Sequence, residues 1–279
     1  MPGGSSRPDP AGTLHDPAPP ADASRMGGER FEVEFGLYSR WLVEACLALD
    51  VDPVPAVARG TGRPALLEAA AAPLDARPGT KVLDVGCGLG GPGAWLARCS
   101  GAEVVGVDVM QQSVIGMKRI LPELAAVVGS LRALPMKDRS FDAAWALGVL
   151  EMVADKTTAG KEIWRVLRPG APLVIYDFVL TRASRRHTPA ADRFTSSDDM
   201  IGHLEGAGFE ISDASRLPQL PPTPPDWVEA RGSVRAEVRR RYGDDDRFKI
   251  VQSELRTFRR LVSDGVIEEW MFVAKKEGR

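Results

Sequence analysis

The sequence predicts an α/β fold: a seven-stranded, mostly parallel sheet with an antiparallel C-terminal edge strand and a helical lid. Three observations lead there. A short apolar run, Lys81–Val85, leads into a glycine-rich loop and then a helical pattern. A second run, Val104–Asp108, completes strand, helix and strand within residues 81–108, the βαβ unit of a parallel sheet with its right-handed crossover. Finally, the chain closes as strand, helical excursion and strand, residues 209–214 and then 267–275, which suits an antiparallel edge pair.

The remaining elements follow in order. Residues 1–25 hold six prolines and almost no large apolar side chains, too little buried surface to offset ordering entropy, so a disordered tail is expected. Residues 26–279 form the folded domain. Phe31, Phe35, Tyr38, Leu42, Cys46 and Leu49 recur at helical steps and form one apolar stripe, ended by Pro53 and Pro55. A short helix, Pro64 to Ala72, follows Gly60 and Gly62. After the first βαβ unit come a helix from Gln111 to Leu121, a strand at Ala125–Val128 and a strand from Phe141 to Leu147. A helix over Lys156–Leu167, a strand at Leu173–Asp177 and a helix over Ser197–Gly206, capped by Ser196 or Ser197, continue the alternation. Past a Pro-rich break at 218–225, two helices run from Trp227 to Arg241 and from Phe248 to Val262. Phe248, Val251, Leu255, Phe258 and Val262 make one apolar face of the second. The lead-in helices (30–72) and the late ones (226–263) are expected to cover the carboxyl edge of the 79–180 core and to lid an apolar pocket.

Composition excludes several classes. Of 279 residues 44% are hydrophobic and 27% charged, and the net charge is −2, so bulk electrostatics do not point to nucleic acid or an anionic membrane. The basic run around Arg235 and Arg239–Arg241 is interrupted by Asp244–Asp246 and reads as a solvated helix face. No apolar stretch is long enough to span a bilayer, and the N-terminus lacks the charged and apolar regions of a signal peptide, so a soluble cytoplasmic protein is expected. Three cysteines without a CxxC read as reduced thiols. The histidines, His15, His187 and His203, show no metal-ligand spacing.

The glycine loop carries the chemistry. Gly86, Gly88 and Gly90 permit a tight turn and close approach of a ligand to the backbone, and the following helix N-terminus offers free N–H groups. Gly86, Gly88 and Gly91 also satisfy GxGxxG, so the loop alone fits a nicotinamide dinucleotide as well as an adenosyl cofactor, and Asp108 suits the ribose hydroxyls of either. Asp84 separates the two. A buried carboxylate at the strand end needs donors or a cation; an amino-acid ammonium supplies one, whereas a pyrophosphate is repelled.

Val82-Leu-Asp-Val-Gly-Cys-Gly-Leu-Gly-Gly-Pro92 resembles the first motif of class I S-adenosylmethionine-dependent methyltransferases, with a Rossmann-like fold. Leu134–Asp142 resembles that family's approach to strand four, and Trp164–Phe178 its helix, turn and strand five. The branch it looks most like is bacterial small-molecule methyltransferases, namely natural-product sugar O-methyltransferases, ubiquinone and sterol C-methyltransferases, and their pericyclase relatives. The resemblance implies S-adenosyl-L-methionine as cofactor and a small-molecule substrate, with no nucleic acid or membrane partner, in a monomer or homodimer. It places Asp84, Gly86, Cys87, Gly88 and Gly90 at the methionine end and Asp108 at the ribose. Val109 and Met110 then lie near the adenine, Ser130 and Leu131 stand where the family usually has Asp-Ala, and Leu147 lies beside the methionine portion.

For the acceptor, Glu151 follows strand four, where many relatives place a histidine; it reads either as a base in an apolar pocket or as a solvated carboxylate opening a loop. Asp177 ends strand five at the carboxyl edge, where ligands sit in open α/β sheets, and faces either substrate or packing. His187, in the loop after strand five, is the one histidine placed near substrate. Tyr176 points to the opposite face. The function implied is methyl transfer to O, N or C of a moderately hydrophobic metabolite in secondary metabolism; alternatives are a cofactor-binding pericyclase or scaffold, and an NAD-dependent oxidoreductase.

Overall fold

The computed structural model describes residues 28–59, 61–181 and 191–278. The sequence expectations for the 1–25 tail, Gly60 and His187 lie outside them. Seven strands form one sheet in the order β3-β2-β1-β4-β5-β7-β6. They are β1 (Lys81–Val85), β2 (Glu103–Asp108), β3 (Ala125–Val128), β4 (Ala143–Leu147), β5 (Pro172–Leu180), β6 (Phe209–Arg216) and β7 (Ile267–Lys276). The first five run parallel, and β7 is antiparallel to both β5 and β6. This is the expected architecture, including the antiparallel edge.

Burial explains the strand sequences. β4, Ala143 to Leu147, is buried at every position, as a central parallel strand covered on both faces must be. One face of the sheet packs Leu83, Val85, Leu173 and Ile175 beneath α7 (Lys156–Val166) and α8 (Ser197–Gly206). The other packs Val82, Trp145, Val174 and Tyr176 beneath α5 (Gly91–Ser100) and the N-terminal helices. Asp155 caps α7 by accepting the Thr158 N–H, and Ser196 caps α8 by accepting the Asp199 N–H, at 2.9 and 3.1 Å. Beneath the opposite end, the Lys276 ammonium bonds the Trp164 and Leu167 carbonyls at the C-terminal end of α7, each at 2.7 Å.

The lead-in is more irregular than its periodicity predicts. α1 (Gly28–Phe31) passes into a π-helical turn, Glu32–Leu37, before α2 (Tyr38–Leu49). Within α2, Leu42 and Cys46 are buried, and Leu49, the last helical residue, is 37% exposed. Pro53 and Pro55 do not simply stop the chain: they open a single turn, α3 (Val54–Val57), whose first residues need no intrahelical N–H partner. α4 (Pro64–Ala71) starts on a proline in the same way. α6 (Gln111–Ile120) links β2 and β3. α9 (Pro225–Tyr242) buries Val234 and Val238, and α10 (Asp246–Ser263) buries Phe248, Val251 and Leu261. In α10 the expected Val262, in the last turn before Ser263, is exposed, and Leu261 is buried instead. No helix among the described residues is long and apolar enough to cross a membrane.

Candidate active site at the carboxyl edge of the sheet

The glycine loop begins where β1 ends. Gly86, Gly88 and Gly90 all have positive φ, at 66, 53 and 80°. Their roles differ. A Cβ on Gly86 would sit 2.5 Å from Val149, and one on Gly90 would sit 2.7 Å from Met117, so both are glycine because the chain packs against them. A Cβ on Gly88 would meet nothing within 4 Å. Its left-handed backbone faces open space, which leaves room for a ligand to approach the main chain.

Asp108, at the end of β2, fastens this loop. Its Oδ2 accepts the Gly88 N–H and its Oδ1 accepts the Met110 N–H, both at 2.8 Å. Burial pushes its carboxyl up, and those two N–H groups pull it back. Each oxygen keeps a second lone pair for a hydroxyl. Asp84 is 4% exposed and finds its donors inside the protein: Oδ1 accepts the Trp145 indole N–H at 2.8 Å. The Gly93 N–H also bonds this carboxylate. Burial nevertheless dominates and pushes Asp84 up to about 7.

A cleft of roughly 1170 Å³, counted out to its open mouth, lies over these residues. Asp84, Gly86, Cys87, Gly88, Asp108, Val109, Met110, Leu131 and Leu147 all line it. Two expected cofactor residues do not. Gly90 lies behind the loop as the N-cap of α5, and Ser130 turns its Oγ to the Arg132 N–H at 3.1 Å, capping a local turn. The opposite wall comes from the lead-in: Phe31, Phe35, Ser39, Val57, Arg59 and Thr61 line the cleft. The N-terminal segment thus supplies one wall of the cleft. α9 and α10 contribute no lining residue, and instead pack behind the lid, with Trp41 of α2 stacked on Tyr242 at 4.7 Å and tilted against Phe248 at 6.2 Å.

Arg59 holds the lid. Its guanidinium lies between the Phe35 and Tyr38 rings, 5.1 and 5.0 Å from their centroids, and donates to the Glu34 carbonyl at 2.8 Å. It also pairs with the Glu34 carboxylate at 3.5 Å. Nothing in the sequence pattern marks Arg59 for this role, since the lid–loop contact is made only in three dimensions.

Glu151 and Asp177 come together beside the cleft rather than on its wall. β4 stops at Leu147 while β5 runs on to Leu180, so the upper part of β5 loses its β4 partner. A short 3-10 turn, Leu150–Met152, fills the gap. There Asp177 Oδ2 accepts the Glu151 N–H at 2.9 Å, and the Glu151 carboxylate bonds the Phe178 N–H and the Asp177 carboxyl. Glu151 is 8% exposed and Asp177 0%, so the reading of Glu151 as a solvated carboxylate opening a loop does not hold. Burial pushes both carboxyls up, Asp177 well above its ordinary value because it also faces Glu151. Tyr176 is packing, as expected: it is 1% exposed, and its hydroxyl donates to Glu269 at 2.6 Å.

The methyltransferase domain family matches residues 83–175, the stretch from β1 into β5. Squalene methyltransferase 1 of Botryococcus braunii is 38% identical over 112 residues, 38% of this chain and 30% of that protein. Methyltransferase GfsG of Streptomyces halstedii is 40% identical over 113 residues, 38% of this chain and 41% of its own length. The chain thus spans well under two thirds of these curated relatives. Among solved structures, the [4+2]-cyclase SpnF superposes with a TM-score of 0.61 at 24% identity, over 77% of this chain and 81% of the cyclase, a likeness of fold. The match over residues 83–175 to the methyltransferase domain family agrees with the seven-stranded order, its reversed β7 and the loop held by Asp108.

Proposed function

We propose that the protein transfers a methyl group from S-adenosyl-L-methionine to O, N or C of a small, moderately hydrophobic acceptor. The observation that carries this reading is the open, left-handed Gly88 held by Asp108 in a cleft that the lid covers with Phe31 and Phe35. It offers main-chain polar groups at one end, two acids below and aromatic rings above, a set that fits an amino-acid portion, a ribose and an adenine. Gly86 to Gly88 and Asp84 would hold the methionine portion, Asp108 the ribose hydroxyls, and Val109, Met110 and Leu131 the adenine. The bound cofactor supplies a methyl on a sulfonium already activated for in-line displacement.

The chain's own contribution is position and proton management. Orienting two bound partners contributes as much as roughly 7–11 kcal/mol of barrier reduction. As the sulfur–methyl bond breaks and the acceptor–methyl bond forms, a hydroxyl or amine acceptor releases a proton. Glu151, buried beside the cleft and bonded to Asp177, would be the group to take it. An acceptor of the squalene type, named for one of the curated relatives, suits the apolar lid, and the reading includes a role in secondary metabolism. The likeness to a cyclase favours a second reading, binding of the cofactor without transfer, because fold does not fix chemistry. Incubation with methyl-labelled S-adenosyl-L-methionine and a panel of phenolic and isoprenoid acceptors separates the two. Release of S-adenosylhomocysteine with label in product supports transfer; tight binding without turnover across the panel supports the second reading.

A further inference from the structure

Among the described residues, three buried carboxyl oxygens have no hydrogen-bond partner: Glu34 Oε2, Glu151 Oε2 and Asp177 Oδ1. They come from three separate elements, the π-helical turn, the 3-10 turn after β4, and β5 itself. They nevertheless form one cluster. Asp177 bonds Glu151, the charges of Glu34 and Glu151 act on each other, and Arg193 acts on both. Native proteins leave very few buried polar atoms unpaired, and a concentration of them at one place calls for an explanation.

The surroundings narrow that explanation. Phe35 and Met152, chain neighbours of Glu34 and Glu151, line the cofactor cleft, so the cluster adjoins it. On its other side the Arg193 guanidinium lies 4.7 Å from the Phe194 ring and 5.8 Å from the Phe258 ring. Phe258 in turn meets Phe178 edge-on at 4.8 Å. The polar cluster is therefore bounded by an aromatic wall. Arg59 and Arg193 act on the cluster from the positive side, Glu254 acts on Glu34, and Lys156 acts on Asp177. The unmet carboxyl oxygens are hydrogen-bond acceptors, with the Arg193 guanidinium buried beside them. An anion brought here would face bare carboxylate oxygens, and a purely apolar group would leave them unsatisfied.

We infer that Glu34, Glu151 and Asp177 form the polar end of the acceptor subsite, which takes a hydroxyl or amine hydrogen-bond donor carried on a neutral, ring-sized apolar body. This inference rests on the methyl-transfer reading and adds to it the class of acceptor and a lid-borne residue, Glu34, that binds it. The lid then closes on the acceptor as well as on the cofactor, and the donor's proton lies against Glu151.

Four probes test it by ¹⁹F NMR titration of the full chain saturated with S-adenosylhomocysteine: 4-fluorophenol, 4-fluoroaniline, 4-fluoroanisole and 4-fluorobenzoate. The phenol or the aniline is expected to bind about fivefold or more tighter than the anisole, the effect of one hydrogen bond in a buried site, with the benzoate weakest. Which of the two donors binds tighter identifies a hydroxyl or an amine head group. Glu34→Ala and Glu151→Ala should each erase that preference while S-adenosylhomocysteine still binds. Anisole or benzoate binding as tightly as the phenol and aniline in the unaltered protein overturns the inference. So does a preference that survives in both variants. Should S-adenosylhomocysteine itself fail to bind while the donor preference persists, the methyl-transfer reading falls and the donor subsite stands.

Discussion

Asp108 fastens the cofactor loop by its own carboxylate: Oδ2 accepts the Gly88 N–H while Oδ1 accepts the Met110 N–H, both at 2.8 Å. One side chain thus sets the geometry on both sides of the cleft floor. Hydrogen bonds to a charged group contribute about 1.5–3 kcal/mol each. Asp108→Ala should therefore weaken S-adenosylhomocysteine binding by roughly tenfold or more, since both the loop and a ribose acceptor are lost. Asp108→Asn, which keeps one acceptor oxygen, should fall between. Calorimetric titration measures this, and unaltered affinity in Asp108→Ala would remove Asp108 from the site.

Two neighbouring glycines should respond differently to the same change. Gly88→Ala places a methyl in open space, so its stability penalty is limited to left-handed strain of about 1–2 kcal/mol. The methyl nonetheless occupies the space reserved for ligand, and cofactor affinity should drop further than stability. Gly90→Ala drives a methyl against Met117, and its main effect should be a larger fall in melting temperature. Equal effects of the two on affinity would contradict this division of roles.

Which of these features the sequence reveals depends on whether they are local. The glycine loop, Asp84 and Asp108 are legible because strand, turn and helix follow one another directly, and the strand periods give all seven strands within a few residues. The reversed β7 is legible from the chain's closing order. Gly90 and Ser130 were expected to touch ligand, and the structure turns both to local packing. The lid's working residues are not legible. Arg59 finds Phe35, Tyr38 and Glu34 only after the loop folds back, and the π-helical turn that presents Glu34 has no periodic signature. Pro53 and Pro55 read as a stop, yet each is compatible with a helix start, and α3 forms there. The burial of Glu151 depends on β5 outrunning β4, a difference in strand length that no motif records.

Stability should fall as pH rises between about 4 and 7. Asp84 is held at about 7 in the fold against an ordinary 3.8, so the folded chain binds a proton that the unfolded chain has already released in that interval. The slope has a limit of about 1.4 kcal/mol per pH unit for one such group. Asp108 and Cys87 lie close enough to Asp84 to act on its charge, and Trp145 and Gly93 bond it. Buried Asp108, Glu34, Glu151 and Asp177 are pushed in the same direction and add to the slope. Denaturant unfolding of wild type and Asp84→Asn across this range measures it. The variant should show a shallower loss, and an identical slope would mean that Asp84 does not carry the shift.

Lys276 is a stability residue far from the cleft. The residue is 2% exposed, and its ammonium bonds the Trp164 and Leu167 carbonyls and lies 3.7 Å from the Trp164 ring centroid. Burial pulls its pKa below the ordinary lysine value, but its carbonyl partners retain the charge. Lys276→Met keeps the stem and removes three contacts, which should destabilise the protein by about 2–3 kcal/mol. Chemical denaturation checks the magnitude, and cofactor affinity should not change.

The central claim is tested most directly by calorimetric titration of the wild-type chain with S-adenosyl-L-methionine, S-adenosylhomocysteine and NAD. The account predicts binding of both adenosyl ligands in the micromolar range and no comparable heat with NAD. An absence of adenosyl binding, or tighter binding of NAD, would contradict it and return the glycine loop to the dinucleotide reading that its spacing also allows.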